Sequence, residues 1–266
     1  MPAPNRRLNI LLLGGSSEAS ALASRLSGDA RFTAVLSLAG RTASPKTSPI
    51  AQRLGGFGGV EGLADYIARQ GVDAVVVALH PFAARMRANA VAAARLKATP
   101  LLILDRPAWR PQTGDRWTCV PDMAAAAAAL GPKPRRVLLT VGRQDLAPFK
   151  DQPQHAYLAR SIDAPVADDL PQDAEILLAR GPFTPADERR LLSEGRIDIV
   201  VTKNAGASAT EAKLTAARAL GLPVIMVDRP PRPKSAGDDL FVSSVEAAWD
   251  WLVGRHHSSG ATERGV

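Results

Sequence analysis

The chain contains one long segment twice. Ala94-Arg-Leu-Lys-Ala-Thr-Pro-Leu-Leu-Ile-Leu-Asp-Arg-Pro107 matches Ala217-Arg-Ala-Leu-Gly-Leu-Pro-Val-Ile-Met-Val-Asp-Arg-Pro230. Upstream, Val72-Asp-Ala-Val-Val-Val77 matches Ile197-Asp-Ile-Val-Val201. Each copy is an apolar run, a helical stretch and a second apolar run. Continuous apolar strands alternating with helices need cover on both faces, which a parallel sheet between helices supplies. The expected class is therefore α/β: two Rossmann-like/flavodoxin-like doubly wound parallel-sheet domains facing an interdomain cleft. The stiff run Gly131-Pro-Lys-Pro134 is the best linker. It sets expected domains at 1–131 and 132–255, with 256–266, including His256 and His257, as a disordered polar tail. The repeated Asp-Arg-Pro also reads as a strand stop, with Pro ending the strand and Arg capping nearby carbonyls.

The first strand carries the strongest local signal. Leu8-Asn-Ile-Leu-Leu-Leu-Gly-Gly-Ser-Ser-Glu-Ala19 reads as a buried strand that stops at Gly14 and Gly15 and opens a helix capped by Ser16 or Ser17. The first-turn N–H groups of such a helix bind anions, phosphates above all. The stretch lacks the full Gly-x-Gly-x-x-Gly fingerprint. A second strand over 32–38 ends in Ala39-Gly-Arg41-Thr42, where an arginine suits a 2′-phosphate and an acidic residue would suit an unphosphorylated ribose. A polar stretch over 42–51 follows. The glycines around Phe57 in Leu54-Gly-Gly-Phe-Gly-Gly-Val60 suit a loop whose backbone approaches a bulky ligand. A strand over 73–79 ends at His80-Pro81, putting His80 on the carboxyl edge of a sheet as a candidate for ligand contact or proton transfer.

Later strands are expected over 100–104, 115–120, 136–141, 157–162, 175–179, 197–202 and 223–227. Helices fall between them, one capped by Thr184 with Pro185 at its first position, two more by the boxes Ser208/Glu211 and Ser243/Glu246. The polar groups gathered at strand ends are mostly cationic: Arg106, Arg143, Lys203, Asn204 and Arg229, with Asp228 beside them. They form no Ser-His-Asp order and no catalytic carboxylate pair. Cationic donors without a covalent nucleophile suit a polyanionic substrate and a chemistry carried by a cofactor.

The net charge of +7 agrees with an anionic partner. Scattered arginines and 5% aromatic residues make nucleic acid the weaker choice. One cysteine, Cys119, and four histidines exclude a disulfide framework and make a metal site unexpected. Met-Pro-Ala-Pro-Asn-Arg-Arg7 passes straight into the first strand without an apolar leader region, and no segment is long enough to span a bilayer. A cytoplasmic location with no membrane partner is expected.

The ordered motifs Leu12-Leu-Gly-Gly-Ser-Ser-Glu-Ala19, Ser37-Leu-Ala-Gly-Arg-Thr42, Gly55-Gly-Phe-Gly-Gly59, His80-Pro-Phe-Ala83, Val141-Gly-Arg-Gln144, Ala179-Arg-Gly-Pro-Phe183, Val201-Thr-Lys-Asn204 and Val227-Asp-Arg-Pro230 resemble those of the precorrin-6A reductases of cobalamin (vitamin B12) biosynthesis. The resemblance runs from about Leu8 to Trp251. It implies an NADPH-dependent reduction of one double bond of the precorrin-6A macrocycle to precorrin-6B, with no metal or flavin. It further implies a polycarboxylate tetrapyrrole substrate and a monomer or weak homo-oligomer. On the resemblance, Gly14, Gly15, Ser16, Ser17, Arg41, Arg143, Gln144, Lys203 and Asn204 serve the cofactor. Phe57, Gly58, Arg106, Asp228 and Arg229 serve the substrate, and His80 is the candidate catalytic group. Where the family commonly has Asp-Ala-Thr-His-Pro this chain has Val77-Ala-Leu-His-Pro81, so no carboxylate precedes His80. Alternatives are a non-enzymatic two-domain binder of an anionic small molecule, a reductase of the cobalt-containing substrate, and an α/β enzyme of another anionic metabolite.

Overall fold

The computed structural model describes residues 6–40, 47–232 and 240–262. The chain runs through β1 (Leu8–Leu13), α1 (Ser17–Ser27), β2 (Phe32–Leu38), β3 (Ala51–Leu54), α2 (Val60–Arg69), β4 (Ala74–Val77), α3 (Ala84–Leu96) and β5 (Leu101–Leu104). It continues with β6 (Arg116–Val120), α4 (Met123–Ala128), β7 (Arg136–Thr140), β8 (Ala156–Ser161), β9 (Glu175–Leu178) and α5 (Pro185–Glu194). It ends with β10 (Ile199–Lys203), α6 (Ala212–Ala219), β11 (Pro223–Val227), β12 (Leu240–Val242) and α7 (Val245–Thr262).

These strands form two six-stranded sheets, ordered β12-β5-β4-β1-β2-β3 and β6-β11-β10-β7-β8-β9. Every strand pair among the described residues is parallel. The α/β class is thus the observed one, and the repeat has a structural meaning. The repeated segments are β4 with β5 and β10 with β11, which hold equivalent places in the two orders. In each sheet the order reverses at a central strand, between β1 and β4 in the first and between β7 and β10 in the second. Alternation fills both faces of the first sheet: Ile10 and Leu12 join one core with α1 and α7, Leu11 and Leu13 another with α2 and α3.

The domain boundary differs from expectation. The two compact units are 1–107 with 231–266, and 108–230. Gly131-Pro-Lys-Pro134 lies inside the second unit, because β6 and α4, which precede it, belong there. The sixth strands are exchanged along the chain: β6 follows β5 but pairs with β11, and β12 follows β11 but pairs with β5. A prolyl run marks stiffness, not the place where pairing changes partner.

The C-terminal segment is likewise not a free tail in its described part. Helix α7 continues to Thr262 and buries His256 at 2% exposure against Phe32. Its polar composition hid this one buried ring. Strand β3 stands where the sequence passes from the polar stretch over 42–51 to the glycine-rich loop and signals no strand, since Ala51-Gln-Arg-Leu54 lies mostly exposed at a sheet edge. Thr184 caps α5 with Pro185 behind it, as expected. The other two caps differ. Ser208 opens a short 3-10 turn and makes no side-chain cap for α6, and Ser244, not Ser243, accepts from the Ala247 N–H at the start of α7.

Candidate functional site

In open α/β sheets, ligands collect outside the carboxyl ends of the strands where the order reverses. In the first unit that point lies between β1 and β4. Gly14 makes the turn off β1 under tight packing: a Cβ there would meet Leu36 Cδ1 at 2.4 Å. Gly15 follows with φ +127°, and a Cβ on it would meet nothing within 4 Å. The space in front of Gly15 is therefore open, next to the eleven-residue helix α1. Ser16 is the cap: its Oγ accepts from the Ala19 N–H at 3.1 Å and donates to the Ala78 carbonyl at 2.8 Å. That second bond ties the β1 turn to the end of β4. The N–H groups of Ser17 and Glu18 have no acceptor within the helix, by helical geometry. This arrangement fits a phosphate of a dinucleotide.

Arg106, at the end of β5, belongs to this same place. Its Nη1 pairs with Glu18 Oε2 at 2.7 Å and donates to Ser17 Oγ at 3.3 Å, with the arginine 8% exposed. Arg106 therefore offsets a carboxylate that would repel an anion at the α1 N-terminus. The residue before it, Asp105, is buried and paired with Arg87 and Arg232. His80 follows β4 and is half-buried; its Nδ1 accepts from the Phe82 N–H at 3.3 Å. The neutral ring therefore carries its proton on Nε2.

Arg41 lies outside the described residues. The glycine-rich loop stands at the far side of β2 from the reversal point, past the end of the edge strand β3. Phe57 is packed into the core on that side, edge-to-face with Tyr66 at 5.1 Å, and Gly58 is exposed at φ +83°. In a dinucleotide-binding sheet this is the adenosine side. Arg53, at the carboxyl end of β3, was not anticipated: it donates to Ser37 Oγ, Gly55 O and Gly56 O.

In the second unit the reversal point lies between β7 and β10. Arg143 and exposed Gln144 follow β7, and Lys203 closes β10. Arg143 Nη1 reaches the Ala164 carbonyl at 3.5 Å, and Lys203 Nζ is ion-paired with Asp145. Asn204 is buried and spent on structure: its Oδ1 accepts from the Trp109 N–H at 2.8 Å and its Nδ2 donates to the Trp109 carbonyl at 3.1 Å. Arg229 donates to the Asn204 and Ala205 carbonyls at 2.9 and 3.2 Å. These bonds brace the loop after β10, as the strand-stop reading of the second Asp-Arg-Pro expects. Asp228 is exposed at the end of β11.

Behind this loop lies a buried charged cluster that no motif announced. Arg160 and Glu188 form an ion pair, Arg160 lies 4.1 Å over the Phe183 ring, and Lys213 lies 4.7 Å over Trp109 while donating to Thr210 O at 2.6 Å. Burial pushes the Lys213 ammonium down to about 7; Arg160 acts the same way, and Glu188 and Glu211 oppose it. No group of metal-ligating side chains occurs among the described residues, and no described helix is long and apolar enough to cross a membrane.

By fold this is an α/β protein of two parallel six-stranded sheets with cationic and polar groups at the carboxyl ends of their strands. The family model described as Precorrin-6x reductase CbiJ/CobK matches residues 9–253, and the chain belongs to that family. Precorrin-6A reductase of Rhodobacter capsulatus is 50% identical over 97% of this chain and 99% of its own length. Precorrin-6A reductase of Mycobacterium tuberculosis is 41% identical over 92% and 97%. Cobalt-precorrin-6A reductase of Priestia megaterium is 31% identical over 83% and 90%. The solved structure of CobK precorrin-6A reductase superimposes with a TM-score of 0.88 at 48% identity, covering 93% of this chain and 97% of that one.

Proposed function

We propose that the protein reduces precorrin-6A in cobalamin biosynthesis with NADPH as the hydride source, acting on a CH–CH bond of the macrocycle. The observation that carries the reading is full-length similarity, 50% over 97% of the chain, to a precorrin-6A reductase. The metal-free substrate is favoured because the relatives called cobalt-precorrin-6A reductase stand at 31% identity or less. Open space before Gly15 and the orphan N–H groups of α1 support a pyrophosphate there. Ser16 fixes the turn, Arg106 neutralises Glu18, and Ser17 lies at the helix mouth. When bound, the coenzyme supplies a hydride to a ring carbon.

The chain's own task is to bind, orient and donate. His80 follows the strand beside the coenzyme turn, where we assign it contact with the substrate or proton transfer to it. Arg143, Gln144 and Lys203, expected at the cofactor, stand at the carboxyl ends of the second unit's strands, and we assign the two cations instead to the substrate carboxylates, with Asp228 at the end of the neighbouring strand. The test is anaerobic NADPH oxidation, followed spectroscopically, with precorrin-6A and with its cobalt counterpart. Turnover with the metal-free ring is expected to dominate. Ligand binding without turnover of either ring would favour the non-enzymatic binder, and dominance of the cobalt ring would reassign the substrate.

A further inference from the structure

We propose that Arg53 selects the phosphorylated coenzyme: its guanidinium closes the adenosine side of the first sheet and presents its remaining N–H groups to the coenzyme 2′-phosphate. The proposal rests on the reading of this chain as an NADPH-dependent reductase. Three observations carry it. Arg53 sits at the carboxyl end of β3, beside the end of β2, which is where the adenosine ribose lies in such sheets. Its bond to Ser37 Oγ is 2.7 Å and ties it to β2 itself.

The side chain is also pre-positioned. Nη1 donates to Ser37 Oγ and to Gly55 O at 3.1 Å, and Nη2 to Gly56 O at 3.1 Å. The guanidinium carbon lies 3.8 Å over the Phe57 ring. Phe57 is in turn held by Tyr66 and by the close approach of its carbonyl to Gly62, where a Cβ would stand 1.8 Å away. An arginine locked by stacking and by its own loop loses little entropy when it meets an anion.

Third, donors remain. The three bonds use three of the five guanidinium N–H groups; Nε–H and one Nη2–H make no protein hydrogen bond among the described residues. Arg53 is half-buried, so a phosphate meeting these donors is partly shielded from water. The same planar stack offers a cation–π face to an adenine ring.

Wild-type protein, Arg53→Gln and Arg53→Lys are to be compared for binding of NADPH, NADH and adenosine 2′,5′-bisphosphate by calorimetry. Glutamine keeps a planar amide that can still hold the loop but removes the charge. Its NADPH and bisphosphate affinities are expected to fall by about 10- to 100-fold, the worth of a charge-assisted hydrogen bond, with NADH affinity unchanged. Lysine retains the charge and is expected to keep part of the preference. Equal loss for NADPH and NADH would make Arg53 a loop brace only, and no loss for either would remove it from the site; both overturn the proposal. A wild-type protein that binds neither coenzyme, or both equally, would instead sink the NADPH reading itself. Should either variant fail to fold, the wild-type crystal structure with the bisphosphate decides. Arg53 N–H groups within hydrogen-bond reach of the 2′-phosphate support the proposal, and a phosphate held elsewhere overturns it.

Discussion

Lys213 donates to the Thr210 carbonyl beneath the Trp109 ring, and the fold withdraws it from water. With its folded-state value near 7 and an ordinary value of 10.5, the unfolded chain binds the extra proton between those limits. Stability therefore rises with pH from about 7 to 10.5, and the penalty for burying the charge is fullest below 7. Lys213→Met should flatten that rise in urea titrations across this window. The two turn glycines separate in a similar way. Gly14→Ala drives a Cβ into Leu36 and should cost about 1–3 kcal/mol of stability. Gly15→Ala has room but the wrong φ for an L residue, so its expected signature is a modest loss of stability with a larger loss of coenzyme affinity. Thermal melts with and without NADPH distinguish them. Gly14, Gly15 and Ser16 were legible in sequence because a strand-to-helix turn has a local chemistry. Glu18, Asp145 and Trp109 were not, because each acquires its meaning from a partner distant in the chain: Arg106, Lys203 and Asn204.

At the scale of elements, apolar runs with proline or glycine stops placed most strands, and the doubled segment placed β4–β5 against β10–β11. What escaped was decided by tertiary contact. Strand β3 has edge burial only, and α7 extends through a polar sequence because its inner face meets β2 and α1. That contact is testable. Trp249 lies edge-to-face with Phe32 at 5.5 Å, Leu252 is fully buried, and His256 closes the row. Ending the chain after Gly254 removes His256 from this cluster. The expected cost is about 1–3 kcal/mol, the range for losing a buried ring and leaving a cavity. A chain ending after His257 should melt like the full-length protein if the last residues add nothing to that core. Equal melting of both truncations would mean His256 is not part of the folding unit.

For the whole molecule, the exchange of sixth strands sets which pieces can fold. A fragment of residues 1–131 has β1 to β5 but lacks β12 and α7, so it exposes the β5 edge and the core face that holds Ala248 and Leu252. It also carries β6 without β11, its pairing partner. The break at Gly131 that composition suggested should therefore yield an unstable fragment prone to aggregation. The unit defined by contacts is 1–107 with 231–266, and its two chain ends are already close: Arg232 Nη2 lies 3.3 Å from Asp105 Oδ2, and the Asp105 N–H donates to the Val242 carbonyl. Joining residue 107 to residue 231 through a short Gly/Ser linker costs little loop entropy. The joined chain should fold cooperatively and, as it retains the β1 turn, α1, Arg106 and Arg53, bind NADPH without reducing any substrate. Circular dichroism melts and calorimetry on the joined chain and on 1–131 provide the comparison. A folded 1–131 fragment would overturn the boundary set by the strand exchange, and a joined chain that binds the tetrapyrrole but not the coenzyme would reverse the assignment of coenzyme and substrate to the two units.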